Sequence, residues 1–196
     1  RGVMPQKVPI AEKYVNMTDI NRPTRQGGGG AEAPGEALLA QTIELMFFAY
    51  RDFTSDPDAI LAERGFGRAH HRVLHFVSRY PGLRVADLLD ILKITKQSLA
   101  RVLKQLIEQG FIEQRAGAVD RRERLLYTME AGSRLARKLM EPQLERVASA
   151  LQAGAAEGGQ AIEAFLLAMI DPAERGRVLE LIGRSRVRDP ADEDER

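Results

Sequence analysis

The order of signals between residues 84 and 124 constrains this chain more than any other feature. A short apolar-periodic run (84–92) meets a tight turn at Lys93 and Ile94. Thr95, whose hydroxyl can accept a hydrogen bond from a first helical turn, then opens a second apolar-periodic run. That run stops at Gly110, a residue suited to the left-handed conformation that closes helices. Two strand-like runs, 111–115 and 124–127, flank the basic segment 116–123. Helix, turn, helix and basic hairpin form the pattern of a winged helix, a module usually used to grip double-stranded DNA.

Charge points the same way. The formal net charge is only +1, yet residues 64–124 hold 13 Lys and Arg against 6 Asp and Glu. That local +7 leaves the remaining residues at −6. Cations concentrated in one module are the footprint of a nucleic-acid binder, because neutralising phosphates supplies most non-specific affinity. A merely solvated basic surface is the alternative, but here the charges coincide with the helix-turn-helix pattern.

On the helix from Thr95, Leu99, Val102, Leu103, Leu106 and Ile107 share one face, while Lys96, Gln97, Ser98, Arg101 and Lys104 share the remaining arc. Side chains near the start of such a helix reach base edges; arginine or lysine suits guanine O6/N7 and glutamine suits adenine N6/N7. Thr95, at the positive helix end, suits a phosphate. In the hairpin, Gly117 is expected to supply the backbone freedom for a tight reversal. Arg121 and Arg122 project where the negative potential of the minor groove attracts guanidinium groups. Asp120 is expected to orient Arg122 or Arg124 through a salt bridge, so Asp120 and Arg124 are read as wing support. Arg84 and Arg115 complete the candidate DNA-binding set.

Around this module the chain reads as helical. Residues 1–35 hold four of the nine prolines and the run from Gly27 to Gly30, a linker composition read as a flexible arm. Residues 36–53 predict a helix with Leu39, Ile43, Met46, Tyr50 and Phe53 on one face, widened by Leu38, Leu45, Phe47, Phe48 and Ala49. That stripe exceeds what one neighbouring helix needs, so a second subunit is expected to cover part of it; the alternative is the central helix of a monomer. Asp56-Pro57 predicts the cap and first residue of a new short helix closed by Gly65. A helix over 67–80 points Ala69, Val73, Phe76 and Tyr80 inward, and Leu83 staples onto the next, which buries Val85, Leu88, Leu89 and Leu92.

Beyond the wing, Thr128 reads as the cap of a long helix to about residue 153, striped by Leu135, Leu139, Leu144, Val147 and Leu151, with Pro142 as a bend. Residues 160–170 are apolar enough to be buried. Asp171-Pro172-Ala173-Glu174 reads as cap, first-turn proline and capping-box glutamate of a last helix to Ile182. The charged end, acidic from Asp192 to Glu195, reads as a disordered tail. The expected fold class is mostly α with a small β-hairpin wing, a winged helix-turn-helix embedded in a helical dimerisation domain. Its expected parts are an arm (1–35), N-terminal dimerisation helices (36–64), the winged helix-turn-helix (65–128), C-terminal dimerisation helices (129–184) and a tail (185–196).

Composition narrows function by exclusion. With no cysteine there is no disulfide framework, thiolate metal site or thiol redox switch. The most apolar run, from Ile43 to Tyr50, contains Glu44 and is far too short to cross a bilayer. No signal-peptide pattern opens the chain, so a cytoplasmic location and no membrane partner are expected. No clustered acid-base or nucleophile constellation is present, so no enzyme, catalytic residue or cofactor is expected. His71 and His75, four apart, could share a metal, but no neighbouring carboxylate or cysteine completes a ligand set. With His70 they are read as interfacial or partly exposed, and no metal site is expected.

The order of elements, and above all residues 120–132 (DRRERLLYTMEAG), resembles the MarR family of bacterial transcriptional regulators. Its wing pattern is Asp-x-Arg, several residues, then Leu-Thr-x-x-Gly; Asp120, Arg122, Thr128 and Gly132 match, while Tyr127 stands in place of the leucine. The resemblance spans residues 36–182, and GRAHHRVLHFV with ITKQSLARVLKQL is similar to a PetP-like alphaproteobacterial branch. It implies a homodimer with interlocked terminal helices, a recognition helix over 95–109, and Arg122 entering the minor groove while Asp120 holds it. It further implies a pseudo-palindromic target with half-sites about one helical turn (~10 bp) apart. Many members of this family bind small effectors, often aromatic acids, between the dimer helices and the winged helix, and the resemblance makes Tyr50, Arg68, His71 and Arg72 the candidates for lining such a crevice. The expected function is thus a sequence-specific DNA-binding regulator of transcription. A protein-interaction or scaffold module without such binding is the alternative, since fold alone does not prove function.

Overall fold

The structure, a computed structural model, describes residues 33–154 and 158–186. Of the expected arm (1–35) residues 1–32, and of the expected tail (185–196) residues 187–196 with the acidic run, lie outside the described residues; residues 185 and 186, expected in the tail, are helical. Packing divides the chain into two units at Gln41 and Thr42. The described part of the first unit is the start of helix α1 (Glu36–Ala62). The second unit holds α2 (Arg68–Arg79), β1 (Leu83–Arg84), α3 (Val85–Leu92), α4 (Lys96–Glu108), β2 (Ile112–Ala116), β3 (Arg124–Thr128), α5 (Glu130–Ala153), α6 (Gly158–Met169) and α7 (Pro172–Arg186). This is the expected architecture, mostly helix with a small antiparallel sheet.

The sheet has strand order β1-β3-β2. Its β2–β3 hairpin pairs Ile112 with Thr128 and Ala116 with Arg124. The two-residue β1, absent from the sequence pattern, pairs Leu83 with Leu126 and Arg84 with Leu125, so Leu83 joins the sheet as well as packing on the core. Leu74, Val77, Leu88, Leu99, Leu106, Ile112, Leu126 and Leu139 form a core shared by α2 to α5 and the sheet. Each fully buried leucine contributes roughly 2 kcal/mol of apolar transfer, so this core is a main source of the fold's stability. On α2 the inward residues are Val73, Leu74 and Val77; Phe76 and Tyr80, expected inside, are half-buried and stack on each other at 6.3 Å.

Two helices close by the same glycine device. Gly110 has φ 72°, its N–H donates to Ile107 O, and Phe111 N–H reaches back to Leu106 O. Gly65 (φ 67°) repeats this with Ala62 O and with the Phe66 N–H donating to Leu61 O.

Four expectations are corrected. First, α1 does not break at Asp56-Pro57; it runs unbroken to Ala62 with Pro57 buried inside it. Proline lacks the N–H that would bond the Phe53 carbonyl, and Gln143 of α5 supplies the missing donor, Nε2 to Phe53 O at 3.3 Å. Asp56 is not a cap but pairs with Arg146 at 2.8 Å. Second, the cap position of α5 is held by Met129, whose N–H donates to Phe111 O, while the Thr128 hydroxyl bonds Ser133 Oγ at 2.9 Å. Third, the apolar residues of α6, expected to be buried, are largely exposed: Ile162, Phe165, Leu166 and Met169. Fourth, Gly117 is not among the positive-φ glycines. It is needed for space, because a Cβ there would lie 2.5 Å from the Asp120 carbonyl oxygen.

Candidate nucleic-acid interface

Helix α4 is anchored at its start, its middle and the turn before it. Thr95 Oγ1 accepts the Ser98 N–H at 3.1 Å and lies 2.9 Å from Ser98 Oγ, so the cap is made as expected. Midway, Gln105 Oε1 lies 2.7 Å from Nε2 of His70 on α2. The other ring nitrogen, Nδ1, accepts the Gly67 N–H at 3.1 Å, so Nε2 carries the hydrogen donated to Gln105. His70 is buried and stacks on Phe66 at 4.5 Å. It ties α2 to α4 and is neither interfacial nor exposed. Before α4, Arg72 Nη2 donates to Leu92 O at 3.1 Å. Neither tether is legible in sequence, because both depend on contacts 20 or more residues apart.

With Leu99, Val102, Leu103 and Leu106 buried, Lys96, Gln97, Ser98, Arg101 and Lys104 are all exposed. The ten candidate DNA-binding residues then divide by what their side chains already do. Arg84 is committed: Nε and Nη2 grip both oxygens of Asp87 at 2.8 and 2.7 Å, and Nη1 reaches Glu123 at 3.1 Å. These bonds hold its guanidinium charge firmly, raising its pKa and lowering that of Asp87. Arg84 therefore braces the base of the wing. Arg115 is engaged by Glu113 and lies over the Tyr127 ring at 4.4 Å. Lys104 has only a long, exposed contact with Glu108 at 3.7 Å, worth little in water. Lys96, Gln97, Arg101, Arg121 and Arg122 make no side-chain hydrogen bond or ion pair among the described residues, and all are exposed.

The wing turn is built differently from expectation. Asp120 forms no salt bridge with Arg122 or Arg124 among the described residues; its Oδ1 accepts the backbone N–H of Arg122 at 2.8 Å. Arg124 Nη1 donates to the Arg121 carbonyl at 2.9 Å. Both supports act on the backbone, so the turn is held while the side chains of Arg121 and Arg122 stay available.

Behind this face, Tyr50, Arg68, His71 and Arg72 line one crevice of about 500 Å³, together with Phe53, Thr54, His75, Phe76 and Gln143. Arg68 is paired with Asp58 at 2.8 Å and lies over the Tyr50 ring at 5.6 Å. A larger crevice, about 720 Å³, opens between α2, α3, α5 and α7. His75 lines both, and burial, then the charges of His71 and Arg79, push its pKa down to about 4. His71 is also lowered, chiefly by burial. Among the described residues no group of three or more His, Asp or Glu is placed to hold a metal ion, and no helix is long and apolar enough to cross a membrane.

A capped, outward-facing second helix beside an arginine-tipped hairpin, carried on long terminal helices, defines a winged helix-turn-helix protein. A family model described as MarR family matches residues 64–123. The HTH-type transcriptional regulator PetP of Rhodobacter capsulatus is 50% identical over 151 residues, covering 72% of this chain and 89% of that protein. The chain belongs to the MarR family of transcriptional regulators. Among solved structures, a MarR-family regulator from Silicibacter pomeroyi aligns with TM-score 0.58 at 20% identity, over 67% of this chain and 89% of its own. A mutant MarR from E. coli, crystallised with operator DNA, aligns with TM-score 0.52 at 16% identity, over 69% of this chain and 96% of its own. At these identities the two structures speak for the fold.

Proposed function

We propose that this chain regulates transcription in a bacterial cytoplasm as a homodimer that binds a pseudo-palindromic site on double-stranded DNA. One observation carries the reading. Of the cations on the α4 and wing surfaces, Lys96, Arg101, Arg121 and Arg122 have side chains with no hydrogen bond or ion pair among the described residues, whereas the side chains of Arg84 and Arg115 are committed. In this proposal Gln97, Arg101 and Lys104 face the major groove, with Lys96, Thr95 and Ser98 beside the phosphates. Arg121 and Arg122 enter the minor groove. Asp120 and Arg124 hold the wing turn, and Arg84 acts through the wing it braces. The second copy of the chain covers the apolar faces left open on α1, α5, α6 and α7. A small effector occupying the crevice lined by Tyr50, Arg68, His71 and Arg72 regulates DNA binding only if it prefers one conformer.

The test is a selection of genomic fragments by the purified protein at two salt concentrations. A shared pseudo-palindrome that survives the higher salt is the expected result, with affinity falling steeply because several cations displace counterions. On the selected duplex, Arg101→Ala should cost roughly 1–3 kcal/mol, and much less on a scrambled one. Binding without a preferred motif, lost at the higher salt, would overturn the reading in favour of a scaffold role.

A further inference from the structure

We propose that Glu174 and Arg177 of α7 are positioning residues for the recognition helix, fixing from outside the winged helix the turn from which α4 starts. This inference rests on the DNA-binding reading above.

Lys93 ends α3 with φ 52°, the one non-glycine residue with positive φ among the described residues. Glycine or asparagine is the usual occupant of that conformation, which costs other side chains about 1 kcal/mol. A lysine stands there instead, and its Nζ lies 3.1 Å from Glu174 Oε1. Glu174 is itself diverted. It occupies the third position of α7, where a capping-box glutamate folds back on its own helix end. That end is already capped by Asp171, which accepts the Ala173 N–H on Oδ1 at 2.9 Å and the Glu174 N–H on its carbonyl at 2.9 Å.

Three residues along each helix a second pair forms, Arg177 Nη2 to Asp90 Oδ2 at 3.2 Å. The order of charges is minus then plus on both helices, so it matches in one antiparallel register only. Sliding α7 by a turn would set Lys93 against Arg177, or Asp90 against Glu174. All four residues line the 720 Å³ crevice, so both pairs link α7 to the end of α3 along one cleft. From α2, Arg72 holds the Leu92 carbonyl. The turn is therefore gripped from α2 and from α7, two residues before the cap of α4.

Exposed pairs of this kind contribute little to folding. Their effect falls on the placement of α4, where hydrogen bonds to base edges weaken steeply with misalignment. The sign of one substitution separates this role from a plain phosphate contact by Lys93. Glu174→Gln removes a negative charge and frees Lys93, which by charge alone strengthens DNA binding; loss of positioning weakens it.

Fluorescence anisotropy of the full chain on the duplex selected from genomic fragments, and on a scrambled duplex, reads the difference. Glu174→Gln is expected to weaken selected-duplex binding by roughly three- to tenfold with the scrambled duplex little changed. Lys93→Asn, tolerated at positive φ, should do the same, and the charge exchange Lys93→Glu with Glu174→Lys should restore binding. Unchanged or tighter binding by Glu174→Gln, or an exchanged pair that stays weak, overturns the proposal. Wild-type protein that binds both duplexes alike sinks the sequence-specific reading instead. Amide hydrogen exchange over residues 93–98 in the free protein tests the α7 grip without DNA: faster exchange in Glu174→Gln supports it and equal exchange rejects it.

Discussion

At the scale of single residues, the tightest constraint is on space. Gly132 lies in the first turn of α5, and a Cβ there would sit 1.9 Å from the Phe111 carbonyl oxygen, which is itself bonded to the Met129 N–H. The carbonyl cannot retreat without losing that bond, and its strand leads into the wing. Gly132→Ala should therefore destabilise the fold by roughly 1–3 kcal/mol, the overpacking penalty exceeding the helix-propensity gain of at most about 1 kcal/mol. Denaturant midpoints check this, and an alanine variant as stable as wild type would refute it. His75 gives a second prediction at this scale. Its ordinary pKa of 6.5 falls to about 4 in the fold, so the unfolded chain takes up the proton first. Stability is then present above pH 6.5, is lost as pH falls toward about 4, and levels off below. Between pH 7 and pH 5 the loss from this one group is about 1–2 kcal/mol. His75→Gln should remove that part of the acid sensitivity in thermal melts at the two pH values; an equal drop in both proteins would show that other groups are responsible.

At the scale of elements, local signals were legible and distant compensation was not. Thr95, Gly110 and Gly65 mark helix ends because capping is written in neighbouring residues, and the structure closes each helix by those same groups. The outward set on α4 was legible for a related reason, since helical period alone separates Arg101 from Leu99. Asp56-Pro57 misled because the donor that rescues the Phe53 carbonyl is Gln143, 90 residues away. Glu174 misled in the same way: its spacing fits a capping box, while its partner, Lys93, lies just past the end of α3. Arg84 reads as one of the candidate DNA-binding residues because nothing nearby in sequence shows that Glu123 will fold against it. Candidate site residues were thus found by type and period, but whether each arginine is free or committed depends on tertiary pairing.

At the scale of the whole molecule, the apolar surface outside the core calls for a cover. Phe47 on α1 is 71% exposed and Leu166 on α6 is 55% exposed, and Ile43, Leu144, Met169 and Leu179 are exposed with them. Scattered apolar residues on a surface need no explanation, but large side chains left open together on α1, α5, α6 and α7 do. A second copy brings its own open helices as a matching surface, and a two-fold pair would present two α4 helices to the two halves of a pseudo-palindrome. DNA affinity should then depend on assembly, because a monomer loses the effective-concentration gain of the second half-site, roughly a hundredfold or more. Placing charges at both Phe47→Glu and Leu166→Glu should convert dimer to monomer in sedimentation. It should also weaken binding to a full pseudo-palindrome by that factor, while affinity for an isolated half-site stays close to wild type because the core around α4 is untouched. A wild-type protein that sediments as a monomer at micromolar concentration, or a doubly charged variant that remains a dimer, would show that these faces are covered by something other than a second copy.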